Sequence, residues 1–220
     1  MKSILMIGMG KFGHHLCKNL CEMGNQVMIV DMDEKKLEDL LPIVTTAKIG
    51  DCTNVEVLKS LGVGNFDMCI VCIGTNFQSS LEITSLVKEL GAAYVVSKAN
   101  RDIHAKFLLR NGADEVIYPD RDIAESLAVS LSSSHVFDYI ELTDEYSIYE
   151  ISTAEIWVGK TIREVDFRAK YQISILATKV GEDMKLLPGP DYVFNREDHL
   201  MIVGERSYIK KLLKEINFNE

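Results

Sequence analysis

Residues 4–13 read Ile-Leu-Met-Ile-Gly-Met-Gly-Lys-Phe-Gly, an apolar run closed by Gly8-x-Gly10-x-x-Gly13 and followed by a helix-like segment. The glycine spacing alone is a weak signal. At the end of a strand and the start of a helix it predicts a phosphate cradle. Gly8 makes the tight turn, Gly10 lets the backbone approach a pyrophosphate, and Gly13 lets helix and strand pack closely. The helix N-terminus supplies N–H donors and the positive end of its dipole. Asp31 closes the second apolar run, roughly 20 residues on, where an acid accepts hydrogen bonds from ribose hydroxyls. A carboxylate there repels a 2′-phosphate, which disfavours NADP.

Ligands of open α/β sheets lie beyond the carboxyl ends of the strands. Those ends carry Asp51, Cys52 and Thr53, then Ile73, Gly74, Thr75 and Asn76 with Gln78, and finally Lys98. Asp51 and Thr53 either face the base or cap the next helix. Lys98, at the end of a buried strand, calls for an anion. Lys11, beside Phe12 inside the glycine loop, either reaches a terminal phosphate or is simply solvated.

The elements that must position these residues alternate along the first 130 or so residues. Apolar, β-branched runs at 3–7, 26–31, 46–50, 68–73, 94–98 and 115–118 read as strands. Segments at 12–23, 34–41, 54–60, 77–90, 102–110 and 121–132 repeat apolar residues at helical spacing. Gly24, Gly62, Gly91 and Gly112 each follow a helical segment, as C-terminal stops do. Several strands are apolar throughout, as when helices cover both sheet faces. Six βα units in succession predict a doubly wound, Rossmann-like parallel sheet over residues 1–133.

The pattern then changes. Residues 136–143 and 146–152 alternate with period two around Asp144-Glu145, predicting an antiparallel pair. A short helix near 161–166, strands at 173–179 and 199–203, a Pro188-Gly-Pro loop and a helix at 205–216 complete a smaller α+β domain over 136–220, with the boundary near Ser132-Ser-Ser.

Composition narrows the function. A net charge of −9 and no Lys/Arg run argue against a nucleic-acid partner. No apolar run approaches the ~18 residues of a membrane span, and the N-terminus shows no cleavable signal pattern. The five cysteines, Cys17, Cys21, Cys52, Cys69 and Cys72, are odd in number and suit a reducing cytoplasm. Cys17 and Cys21 share a helix face and form half a metal site or, more simply, small buried hydrophobes. A dehydrogenase needs a general acid or base poised at a substrate carbonyl. His14, His15, His104, His135 and His199 show no such constellation, and the smaller domain offers no catalytic motif. A redox-sensing transcription factor would need a basic helix-turn-helix, which this acidic chain lacks. The residues predict a ligand site without visible chemistry, hence not an enzyme; an NAD-dependent oxidoreductase or NAD(H) redox sensor is the alternative.

The whole chain resembles the RCK (KTN-type) regulatory subunits of bacterial potassium uptake systems, the KtrA/TrkA group. The resemblance lies in Ile7-Gly-Met-Gly-Lys-Phe-Gly13, Val30-Asp31, Ile73-Gly-Thr-Asn76, Asn111-Gly-Ala-Asp114 and Tyr118-Pro-Asp-Arg-Asp122. In the second domain it lies in Asp144-Glu-Tyr-Ser-Ile148, Arg168-Ala-Lys-Tyr171 and Met201-Ile-Val-Gly204. The length is closer to KtrA. The resemblance implies homo-oligomers, from a dimer to an octameric ring, on the cytoplasmic face of a membrane-embedded potassium channel subunit (KtrB/TrkH-like). It also implies that ATP or ADP in the first domain gates the pore, with NAD(H) the ligand in some relatives. Lys11 stands where close relatives place an arginine at the γ-phosphate. Asp120 stands for an acid, usually glutamate, that helps hold Mg2+ or another cation at the γ-phosphates. The resemblance further implies a cyclic di-AMP pocket in the second domain. Arg168 would face its phosphates, Ile162, Ile173, Ile175 and Pro188 would line the walls, and Ala169 would leave room for the bases. Ile123–Leu131 is the candidate intersubunit helix.

Overall fold

The computed structural model describes residues 1–132 and 135–217. The chain forms two compact units, Met1–Asp120 and Arg121–Glu220.

The first unit is a six-stranded parallel sheet built from β1 (Ser3–Ile7), β2 (Gln26–Asp31), β3 (Thr46–Ile49), β4 (Met68–Val71), β5 (Val95–Lys98) and β6 (Glu115–Ile117). Its order is β3-β2-β1-β4-β5-β6, the doubly wound order whose direction reverses between β1 and β4. Helices α1 (Lys11–Glu22), α2 (Val55–Leu61), α3 (Phe77–Glu89) and α4 (Asp102–Arg110) connect the strands. The period-two pleat sends alternate residues of each strand into two separate cores. Leu5, Ile7, Cys69 and Val71 pack with Leu58 and Ile83 on one face. Ile4, Met6, Ile70 and Cys72 pack with Cys17, Leu37 and Leu40 on the other. Both faces are covered at the centre of the sheet, so β1 and β4 are almost wholly apolar, whereas the edge strand β3 is largely exposed.

The expected helix at 34–41 is instead two 3-10 turns, Glu34–Lys36 and Glu38–Leu40. The Asp33 side chain accepts from the Lys35 N–H and tightens the first turn, while Leu37 and Leu40 still reach the core.

In the second unit, α5 (Pro119–Leu131) precedes a five-stranded antiparallel sheet. Its strands are β7 (Val136–Glu141), β8 (Tyr146–Ser152), β9 (Ile173–Val180), β10 (Asp183–Leu186) and β11 (His199–Glu205), in the order β10-β9-β11-β8-β7. From Arg121 onward α5 groups with this unit. Its Ser126 hydroxyl donates to the Tyr139 carbonyl at 3.2 Å, and Val129 packs on the core of Trp157, Phe167, Phe194 and Leu200. The division therefore falls ahead of the expected Ser132-Ser-Ser boundary, of which residues 133 and 134 lie outside the described residues.

The short helix expected near 161–166 is α6 (Ile162–Val165), and a second, unexpected helix, α7 (Phe167–Tyr171), follows it across Asp166, which sits in the left-handed region at φ 49°. Strand β10 was not expected. It pairs with β9 through a turn at Gly181, where φ is 59°. The last element among the described residues is α8 (Arg206–Asn217). No helix among the described residues is long and apolar enough to cross a membrane.

Candidate functional site

A cleft of about 400 Å³ opens at the carboxyl ends of β1, β2 and β4, where the strand order reverses. Strand β1 delivers Gly8 to its edge with φ +93°, a conformation that costs a Cβ-bearing residue strain. A Cβ on Gly8 would also lie 2.8 Å from Ile73 Cγ1. Gly13, one turn into α1, would place a Cβ 2.4 Å from the Gly8 carbonyl oxygen. Only hydrogen fits between that helix and the loop.

Gly10 is different in kind. A Cβ there meets nothing within 4 Å. It is the N-cap of α1 with no side-chain capping bond, and the first turn contains no acid. The first N–H groups of a helix lack intrahelical partners. Here no side chain caps them, and the space above Gly10 is open.

Asp31 ends β2 and is nine-tenths buried. Its Oδ2 accepts from the Met9 N–H at 2.7 Å, so the acid holds the glycine loop as well as facing the cleft. Its Oδ1 accepts from the Asp33 N–H at 2.9 Å and from Lys36 Nζ at 3.3 Å. Asp51 Oδ1 accepts from both the N–H and the hydroxyl of Thr53, at 2.9 and 2.7 Å, and these bonds hold its carboxyl below the ordinary aspartate value. The cap of α2 is neither of them: Asn54 accepts from the Glu56 N–H. Cys52 is buried between them, and burial, reinforced by the charges of Asp51 and Asp31, pushes its thiol to about 12. It is an apolar wall, not a nucleophile.

Gly8, Asp31, Asp51, Cys52, Thr53, Ile73, Thr75 and Asn76 thus line one cleft. Asn76 also caps α3, accepting from the Ser79 N–H at 3.1 Å. Gln78 does not line it: its amide donates to Glu82 along α3. Lys98 and Gly74 sit together beyond the cleft lining, with Lys98 Nζ 5.3 Å from the Phe12 ring centre and 3.9 Å from Asp120 Oδ2. Asp120 is exposed, as is Lys11. No cluster of three metal-ligating side chains occurs among the described residues.

Sequence reasoning missed Ile7, Val30, Met32, Lys36, Gly50, Ser79 and Ile83 as lining residues, and of the residues it did expect, Gly10, Lys11, Phe12 and Gly13 lie outside the lining. Lys36 was hidden because a lysine on a surface turn carries no motif.

No histidine lines the cleft. His104 is fully buried, bonded to Asn100 Oδ1 at 3.1 Å and Ser80 Oγ at 3.2 Å, and burial, then the nearby Arg101 charge, lowers its pKa. His14 meets Asp39, and His199 bonds Glu150 at 2.8 Å and stacks on Phe137. Cys17 and Cys72 are likewise pushed to about 12, chiefly by burial.

In the second unit a cleft of about 320 Å³ brings together Ile162, Arg168, Ile173, Ile175 and Pro188, along with Arg163 and Phe167. Ala169 is outside its lining, its N–H donating to Asp166 Oδ1 at 3.3 Å. Asp166 is therefore engaged as a helix cap.

Two family models match the sequence, the TrkA-N domain over residues 4–119 and the TrkA-C domain over residues 147–217. Ktr system potassium uptake protein C of Bacillus subtilis is 40% identical over 98% of this chain and 97% of its own length. Ktr system potassium uptake protein A of the same organism is 39% identical, over 97% and 96%. Among solved structures, a GsuK channel bound to NAD matches 94% of this chain with a TM-score of 0.68 at 18% identity. This chain spans only 38% of that channel's length, and the likeness shows a shared fold.

Proposed function

The chain belongs to the TrkA-type family that includes the Ktr system potassium uptake proteins, and from this premise we propose that it is a nucleotide-controlled regulatory subunit of a potassium uptake system rather than an enzyme. The observation that carries the proposal is the cleft at the strand-order reversal, lined by Gly8, Asp31 and Asp51, together with the uncapped N-terminus of α1, which follows Gly8 by two residues and has open space over Gly10.

The ligand class is ATP or ADP. The α1 N–H groups take the phosphates, Asp31 takes the ribose, and Ile73, Cys52 and Ile83 give the base an apolar wall. NAD(H) is the second reading, because a structure of the same fold is of a GsuK channel bound to NAD. Lys11 and Lys98 lie on the phosphate side, and Asp120 supplies a carboxylate for a cation accompanying a γ-phosphate. The second unit is an assembly and ligand domain. Its cleft of isoleucines beside the Arg168 guanidinium suits cyclic di-AMP, since a guanidinium fork matches two phosphate oxygens.

The partner is a membrane-embedded potassium channel subunit, with this protein at its cytoplasmic face as a homo-oligomer. Ile123, Leu127 and Leu131, all exposed along α5, form an apolar stripe suited to intersubunit packing. Control follows from differential affinity: a nucleotide shifts the ring only as far as it prefers one arrangement over the other.

Calorimetry with ATP, ADP and NADH tests the reading. Asp31→Ala should weaken all three, because it removes a shared ribose contact and loosens the loop at Met9. Undiminished ATP binding by that variant would refute the site.

A further inference from the structure

We infer that Lys36 is a specificity-determining residue of the cleft, one that competes with a ribose diol for Asp31 and accepts a 2′-phosphate in its place; the inference rests on the nucleotide reading above. Asp31 read alone predicts exclusion of 2′-phosphorylated ligands. In the folded chain the acid is not alone. Its Oδ1 already receives two donors, the Asp33 N–H at 2.9 Å and Lys36 Nζ at 3.3 Å, and its Oδ2 receives the Met9 N–H at 2.7 Å.

A carboxylate offers about four lone-pair sites, and a ribose diol that donates to both oxygens needs one on each. Oδ2 has one to spare. On Oδ1 the diol must displace a donor, and the two are unequal. The Asp33 N–H is fixed by the backbone where β2 ends, whereas the ammonium is longer, on a flexible stem, and its side chain is 46% exposed. Lys36 is the group that yields.

It does not leave the cleft when it yields. The turn that carries it is pinned by the buried Leu37 and Leu40 and by the Asp33 cap. Among the described residues, Lys36 is also the only cation in the cleft's lining, which otherwise includes the carboxylates of Asp31 and Asp51. The displaced ammonium therefore stays beside the ribose edge. A 2′-phosphate at that edge would meet Asp31 already paired and a cation within reach, so the repulsion expected from the bare acid is offset.

Calorimetry on the full chain tests this with a ligand pair differing only in the 2′-phosphate, AMP and adenosine 2′,5′-bisphosphate, with ADP as reference. Wild type should bind both members of the pair. Lys36→Met should weaken the bisphosphate about tenfold, the loss of one charged contact, and leave AMP equal or tighter. Lys36→Arg should restore the wild-type ratio within about threefold. Lys36 is exposed, and a thermal melt confirms that each variant folds. The inference is overturned if wild type binds AMP but not the bisphosphate, or if Lys36→Met weakens both equally or leaves their ratio unchanged. If wild type binds neither AMP nor ADP, the nucleotide reading itself fails, and this inference with it.

Discussion

Two single-methyl substitutions, Gly13→Ala and Gly10→Ala, should separate the structural from the binding use of the glycine loop. At Gly13 the new Cβ would lie 2.4 Å from the Gly8 carbonyl oxygen and 3.2 Å from Cys72 Cβ. The first is a backbone atom, held where Gly8 sits at φ +93° and donates its N–H to the Val30 carbonyl at 2.8 Å. It cannot swing aside, so α1 must lift from the sheet. Overpacking of this kind costs about 1–3 kcal/mol. At roughly 3 °C per kcal/mol for a chain of this length, the melting transition of the first unit should fall by about 3–9 °C. At Gly10, φ is −69°, which alanine adopts freely, and the Cβ meets nothing within 4 Å. Its stability cost should be under about 1 kcal/mol, the ordinary difference between glycine and alanine at an N-cap. The methyl instead occupies the space through which a phosphate would approach, and ADP affinity should fall about tenfold or more. Differential scanning calorimetry and ADP titration read the two effects separately. The reasoning is wrong if Gly13→Ala melts within 1 °C or so of wild type, or if Gly10→Ala binds ADP normally.

Other consequences are equally direct. Lys11→Ala should cost ATP more than ADP, by about 1.5–3 kcal/mol, the value of a charged hydrogen bond; equal losses in calorimetry would reject its γ-phosphate role. Arg168→Ala should abolish cyclic di-AMP binding by the full chain while leaving ATP affinity unchanged, and retained heat with cyclic di-AMP would show the second cleft to be misassigned. Burial raises the Glu150 carboxyl, but hydrogen bonds from His199 and Lys179 and their charges outweigh it and hold the group below its ordinary value. Its stabilising contribution is therefore present above the unfolded glutamate pKa, about 4.3, and is lost as pH falls through the lower folded value. Glu150→Gln should flatten the acid side of the second unit's stability profile, and an unchanged slope below about pH 4.5 would contradict that.

The parallel sheet was legible because its strands carry apolar residues for two cores at once and its glycines fall at the turns. Asp31 was legible by its distance from the loop, but not its second task of holding the Met9 N–H, since hydrogen bonds across 22 residues leave no periodic trace. Residues 34–41 misled because Leu37 and Leu40 have helical spacing, which two successive 3-10 turns also satisfy. Strand β10 escaped notice because all four of its residues are exposed, so no alternation marks it. Its one signal was Gly181 between Val180 and Glu182. The cleft of the second unit was reached by resemblance rather than by pattern, as isoleucines at 162, 173 and 175 read equally well as core.

The central claim, that nucleotide in the first unit controls a potassium pathway, is tested most directly by potassium flux into vesicles containing the membrane partner, with this protein added and ATP or ADP supplied. The account predicts that flux depends on the added protein, differs between the two nucleotides, and loses that difference with Asp31→Ala. Flux that is the same with ATP, with ADP and without nucleotide, in the presence of bound protein, would contradict it.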